Sequence, residues 1–170
     1  MNNKTRQTVL NGLLIALVCI ATMTIQVPTP GTNGYVNIGD SIIFISSILF
    51  GPIPGMIAGG IGSALADILS GYTHWAIFTL VIKGLEGYVV GIIIRNHSNL
   101  LKEIFAMAIG TIVMVSGYFV AGIVLEGSAA VSAASIPSNL IQGIISMCIA
   151  VLLAYSLNKV KYVKSFRAHS

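Results

Sequence analysis

The residues best suited to chemistry sit where an apolar chain should carry none. The segment K-G-L-E-G-Y-V-V-G places Lys83 and Glu86 inside a long hydrophobic run. At about 100° per residue, these two side chains stand roughly 60° apart on a helix, beside a face made by Gly84, Gly87 and Gly91. Ionisable groups in hydrocarbon are costly and normally face a bundle interior or a cavity. Two readings follow for the pair: an internal ion pair that fixes packing, or part of a polar binding site. Asp67, Tyr118, Asn139 and Gln142 support the second, because each falls near the same end of its own predicted helix. Polar side chains from four helices thus converge at one depth within an apolar surround, an arrangement suited to a small-molecule pocket. Replacing Lys83 or Glu86 with Ala is expected to weaken such binding while the fold survives.

Bond-breaking chemistry is not expected. The chain has no Walker A loop, no paired His/Asp/Glu metal ladder and no serine–histidine constellation. The expectation is therefore of a protein that is not an enzyme, with no catalytic residue, no metal site and no cofactor of its own. Other polar residues have plainer readings. Asp40, ahead of S-I-I-F, is placed to cap a helix. Tyr72 and Trp75 suit ordinary interfacial aromatics. His74 between them suits a solvated loop, and Glu126 a solvated boundary charge.

The elements that must position these residues follow from composition. Of 170 residues, 55% are hydrophobic and 8% charged, and the mean hydropathy is +0.91. A soluble domain of this length could not cover such a surface with polar groups. One all-α membrane domain over residues 1–170 is expected, with six spans near 8–26, 38–50, 53–69, 76–94, 104–125 and 139–157. The first run follows a basic start but lacks a small-x-small cleavage pattern, so it reads as a retained helix rather than a signal peptide. The second span is short, and is expected to be tilted, buried among its neighbours, or extended back through Tyr35. G-P-I-P-G from Gly51 to Gly55 must break the chain between the second and third spans.

Charge placement orients the domain. Lys4 and Arg6 precede the first span, Arg95 and Lys102 flank the middle, and Lys159, Lys161, Lys164 and Arg167 follow the last. Basic residues near span ends mark the cytoplasmic side, so both termini are expected inside. The formal charge of +4 is then a topology signal with some attraction to anionic lipid, not a nucleic-acid footprint. The polar segments Val27–Asp40 and Glu126–Ser138 fall outside, as lids or as plain connectors. Cys19 and Cys148 lie in apolar runs and read as inert small residues.

Small residues recur at helical spacing. Gly12 and Ala16 form a small-xxx-small pair in the first span. In the third, Gly55, Gly59, Ser63 and Asp67 make one row, and Ala58, Gly62 and Ala66 its neighbour. Such smooth surfaces serve close packing inside the chain or docking on a partner membrane protein.

Nearly the whole chain resembles the substrate-binding S components of energy-coupling factor (ECF) vitamin transporters. The resemblance rests on Y-V-N-I-G-D (Tyr35 to Asp40), L-F-G-P (Leu49 to Pro52), G-G-I-G-S-A-L-A-D (Gly59 to Asp67), S-G-Y (Ser70 to Tyr72) and K-G-L-E-G (Lys83 to Gly87). It is closest in kind to the riboflavin, hydroxymethylpyrimidine and pyridoxine group. The resemblance implies a multi-pass subunit of a prokaryotic plasma membrane that captures a vitamin outside. It implies docking through the first helix, at Gly12 and Ala16, on a transmembrane coupling subunit, with two cytoplasmic ATPases consuming ATP. Tyr35, Asn37, Tyr72, His74 and Trp75 join Lys83, Glu86, Tyr118, Asn139, Gln142 and Asp67 as candidate substrate-binding residues. The family's usual docking motif has Ala at both positions, so Gly12 is a departure. A pyridoxine- or hydroxymethylpyrimidine-like ligand is the expectation. The competing expectation is a stand-alone transporter in which Asp67 or Glu86 exchanges a proton.

Overall fold

A computed structural model describes residues 3–29, 34–95 and 99–157. The basic tail with Lys159, Lys161, Lys164 and Arg167 lies outside the described residues, as do residues 30–33 and 96–98. The chain runs α1 (Asn3–Thr24), β1 (Gln26–Pro28), β2 (Tyr35–Asn37), α2 (Gly39–Phe50), α3 (Pro52–Leu69), α4 (Thr73–Ile94), α5 (Leu100–Glu126), α6 (Ala129–Ala133) and α7 (Ile136–Leu157). Five helices are long and apolar enough to cross a membrane, and α2 is a shorter apolar helix. With α6 as a single connecting turn, the expected six-helix arrangement holds.

The connections differ from expectation in three places. Segment 27–40 is not wholly irregular: β1 and β2 pair antiparallel, with Val27 opposite Val36 and Pro28 opposite Tyr35. This pairing also rules out extending α2 back through Tyr35. Helix α4 starts at Thr73, so His74 and Trp75 belong to its first turn rather than to a loop. Residues 126–138 contain α6, with the Ser128 side chain accepting a hydrogen bond from Val131 N–H at its start.

Helix α2 is short because it is an interior element. Ten of its 12 residues, Gly39 to Ser41 and Ile43 to Leu49, are buried. It packs against α1, α3, α4 and α7. At Gly51 the backbone takes φ 91°, which only glycine adopts without strain, and Pro52 opens α3 directly after it. Phe44, Ile48, Val90, Ile94, Met107 and Ala150 pack into an apolar plug towards the end away from the hairpin.

Glycine rows set the helix spacing, with no Cβ to hold the backbones apart. A Cβ on Gly59 would meet the Lys83 carbonyl oxygen at 2.6 Å, and one on Gly60 the Leu80 carbonyl oxygen at 2.7 Å. Gly87 and Gly91 abut Gly55 and Pro52 from the other side. Around α3, a Cβ on Gly62 would meet the Ile15 carbonyl oxygen of α1 at 2.8 Å. Gly55, Gly59 and Gly62 of α3 are thus consumed by internal packing, with Ala58 and Ala66 buried beside them. The Gly12 position is different: a Cβ there meets nothing within 4 Å. Gly59→Ala is expected to destabilise the protein by about 1–3 kcal/mol through overpacking. Gly12→Ala should leave the thermal midpoint of the detergent-solubilised protein unlowered or slightly raised, and unfolding scans of both variants check the contrast.

Candidate functional site

The site is built around one buried ammonium. Lys83, 1% exposed, donates to Asp40 Oδ1 of α2 and, at 3.0 Å, to Glu86 Oε2 one turn along its own helix. The second Asp40 oxygen accepts from Gln142 Nε2 of α7 at 2.7 Å. Gln142 Oε1 in turn accepts the Asn37 backbone N–H at 2.7 Å, and Asn37 Oδ1 accepts the Gly39 N–H at 2.8 Å. One hydrogen-bonded chain therefore runs from the hairpin through α7 and α2 to α4. Asp40 is not the helix cap its position suggested. The N-cap is Ile38, without a side-chain bond, and Asp40 is turned inward because a buried ammonium requires carboxylate partners.

A second cluster stands towards the hairpin. The Tyr35 hydroxyl donates to Asp67 Oδ1 at 2.7 Å, and its ring lies 4.7 Å from that of Tyr72. Burial, then the Asp67 charge and hydrogen bond, push the Tyr35 phenol above its ordinary pKa, so it remains a protonated donor. Trp75 meets Tyr118 edge-on at 5.9 Å, the Tyr118 hydroxyl pairs with Thr79 at 3.2 Å, and Lys83 Nζ lies 5.5 Å from the Tyr118 ring centroid. Gln26 Nε2 donates to Ser70 Oγ at 2.9 Å, tying β1 to the α3–α4 connection.

Between these clusters lies a cavity with about 640 Å³ of empty space, its open mouth included. Of the candidate substrate-binding residues, Tyr35, Asn37, Asp67, Trp75, Lys83, Tyr118, Asn139 and Gln142 line it. Three expected residues do not. Glu86 sits behind Lys83, Tyr72 packs at a tilt against Tyr35, and His74 is exposed on the first turn of α4. Glu126 is no solvated boundary charge: it is half-buried and forms part of the wall. Thr22, Ser63, Thr79, Ser132 and Ser135 also line the cavity and escaped the sequence reading. For Thr79 a signal existed, since Trp75, Thr79 and Lys83 follow one another at i+4 on one helical face. The serines of the α6 region carried no periodic signal.

The geometry is that of an apolar helical bundle open at one end to a polar, aromatic cavity. Residues 2–159 match the family described as the ECF-type riboflavin transporter S component. The chain belongs to this family. It is a multi-pass membrane component of a transporter, not an enzyme. An uncharacterized protein of Pyrococcus woesei is 41% identical over 142 residues, covering 84% of this chain and 95% of that protein. The thiamine precursor transporter HmpT of Lactococcus lactis subsp. cremoris (strain MG1363) is 27% identical, covering 98% of this S component and 97% of its own length. A solved structure, of the S component of a bacterial ECF transporter, shares the fold. It superposes with a TM-score of 0.74 at 21% identity, covering 92% of this chain and 97% of that one.

Complete burial changes the expectation for Lys83. Its removal strands two carboxylates without a cation, which typically costs roughly 3–5 kcal/mol. Lys83→Met is therefore expected to unfold far more readily than the parent. Adding Asp40→Asn and Glu86→Gln to that variant should recover most of the loss, as read from unfolding midpoints in detergent.

Proposed function

We propose that this S component captures a small nitrogen-containing heteroaromatic vitamin or vitamin precursor, of pyridoxine or hydroxymethylpyrimidine type. Delivery follows by association with a transmembrane coupling subunit and two ATPases, which consume the ATP. The observation that carries this reading is the cavity itself. Trp75 and Tyr118 offer aromatic surface, while Asp67, Lys83, Asn139 and Gln142 offer polar groups at one depth beneath the hairpin. A ring bearing hydroxyl or amino groups matches both kinds of wall. The likeness to a thiamine precursor transporter over nearly the full length points the same way.

The cavity mouth faces outside and both termini lie in the cytoplasm of a prokaryotic cell, in keeping with Lys4, Arg6, Arg95 and Lys102 at the opposite end of the bundle. Docking uses α1, where Gly12 and Ala16 are exposed alongside Leu13 and Leu17. This is an apolar ridge with room for close helix approach.

Mass spectrometry of small molecules released from the gently purified protein, followed by titration, tests the binding reading. A stoichiometric vitamin bound tightly by this subunit alone is the expected result. Uptake driven by a pH gradient in vesicles carrying this chain alone would overturn it in favour of a solitary transporter. Ala16→Leu is expected to abolish co-purification with the coupling subunit while leaving ligand affinity within about twofold, because Ala16 is remote from the cavity wall.

A further inference from the structure

Hydrogen bonds at the cavity wall are of two kinds. Those of Lys83 with Asp40 and Glu86, and of Tyr118 with Thr79, run between or within long helices. Two others join a helix to the hairpin. The Tyr35 hydroxyl donates to Asp67 Oδ1, and the Asn37 backbone N–H donates to Gln142 Oε1, each at 2.7 Å. Tyr35 and Asn37 stand two residues apart on β2, so their side chains leave the same face of the strand, and both residues line the cavity.

Tyr35 therefore brings to the cavity an aromatic ring and a donor hydroxyl, the same two features that the wall is suited to recognise in a ligand. Its hydroxyl holds Asp67 Oδ1, and the other Asp67 oxygen is buried out of reach of solvent. A ligand meets Asp67 where Tyr35 already stands. Gln142 is occupied in the same way, its nitrogen by Asp40 and its oxygen by the Asn37 N–H. Of the two kinds of bond, those to the hairpin yield at least cost. Strands β1 and β2 are three residues each, and an isolated two-stranded hairpin is marginal without outside support.

We propose that β2 is an internal competitor for the cavity, with Tyr35 as its main group. In the empty protein the Tyr35 hydroxyl and the Asn37 N–H occupy acceptors that a ligand needs, and binding displaces them. The hairpin then sets affinity by opposing the ligand, not by clamping it. This rests on the vitamin-binding reading above and deepens it. Observed affinity equals intrinsic affinity reduced by the fraction of molecules in which the tie is open. One hydrogen bond to a charged acceptor accounts for a reduction of roughly tenfold or more.

Calorimetric titration of the detergent-purified parent and Tyr35→Phe, with hydroxymethyl-aminopyrimidine and with pyridoxine, tests the point. The variant keeps the ring and loses only the donor. It is expected to bind about tenfold more tightly whichever compound the parent binds, or to bind one that the parent does not. Its ligand-free thermal midpoint should fall, because Asp67 loses its donor, and the rise on adding ligand should exceed that of the parent. Equal or weaker binding by Tyr35→Phe overturns the inference and leaves vitamin capture standing. Hydrogen exchange on the parent decides even where the variant does not fold. Ligand should speed exchange of the Asn37 N–H as its bond to Gln142 opens, and unchanged or slowed exchange overturns the proposal. Binding of neither compound to either protein removes the inference together with the proposed ligand type.

Discussion

An ammonium at the centre of an apolar bundle must be met by carboxylates, and meeting Lys83 determines where three other helices go. Glu86 supplies one partner from the same helix at no topological cost. Asp40 must come from elsewhere, so α2 has to present its first turn, not its middle, at the depth of Lys83. That requirement places the start of α2 inside the bundle and buries almost its whole length. Gln142 then closes the circuit from α7 by holding the other Asp40 oxygen. The glycine contacts between α3 and α4 complete the frame, since the Lys83 carbonyl itself lies against Gly59.

The same network explains why the two ends of the molecule differ. Beyond Glu86 the interior passes to a mainly apolar plug of Phe44, Val90, Met107 and Ala150. Towards the hairpin every helix except α2 adds a polar or aromatic side chain to the cavity wall. Among the described residues the hairpin is tied down through Gln26 to Ser70, Tyr35 to Asp67, and Asn37 to Gln142. Two of those ties end on cavity-wall residues, Asp67 and Gln142, so hairpin position and cavity chemistry share partners. A ligand competing for Asp67 or Gln142 acts on the hairpin through those same bonds.

Most of the helical frame was legible in the sequence because apolar length and glycine spacing are one-dimensional signals. The six apolar runs, the break at Gly51 and the smooth faces of α3 and α4 are all written in consecutive residues. Partner choice is not. Asp40 next to a serine and an apolar run has the local signature of a cap, and only the three-dimensional approach of α4 reveals its ion pair with Lys83. Glu126 ends an apolar run and so resembles a boundary charge, but α6 packs back on α5 and Glu126 is left half-buried on the cavity wall. The β1–β2 pairing was hidden for a similar reason. The strands Q-V-P and Y-V-N are only three residues each and lie in a segment rich in Pro, Gly and Asn, whose turn propensity masks their pairing.

The choice first posed for Lys83 and Glu86, packing pair or binding site, dissolves once their places are known. Lys83 lies on the cavity wall and Glu86 behind it, so one interaction both anchors the bundle and sets the charge the cavity presents. Such a group is poorly free to vary, because changing it costs the fold. Selectivity must then reside in wall residues that bear no comparable structural charge, contributed one or two at a time by several elements. A scaffold of that kind holds its shape while its ligand changes through few substitutions. This is why a shared fold at 21% identity identifies the architecture, and why the substrate has to be argued from Asp67 and its neighbours.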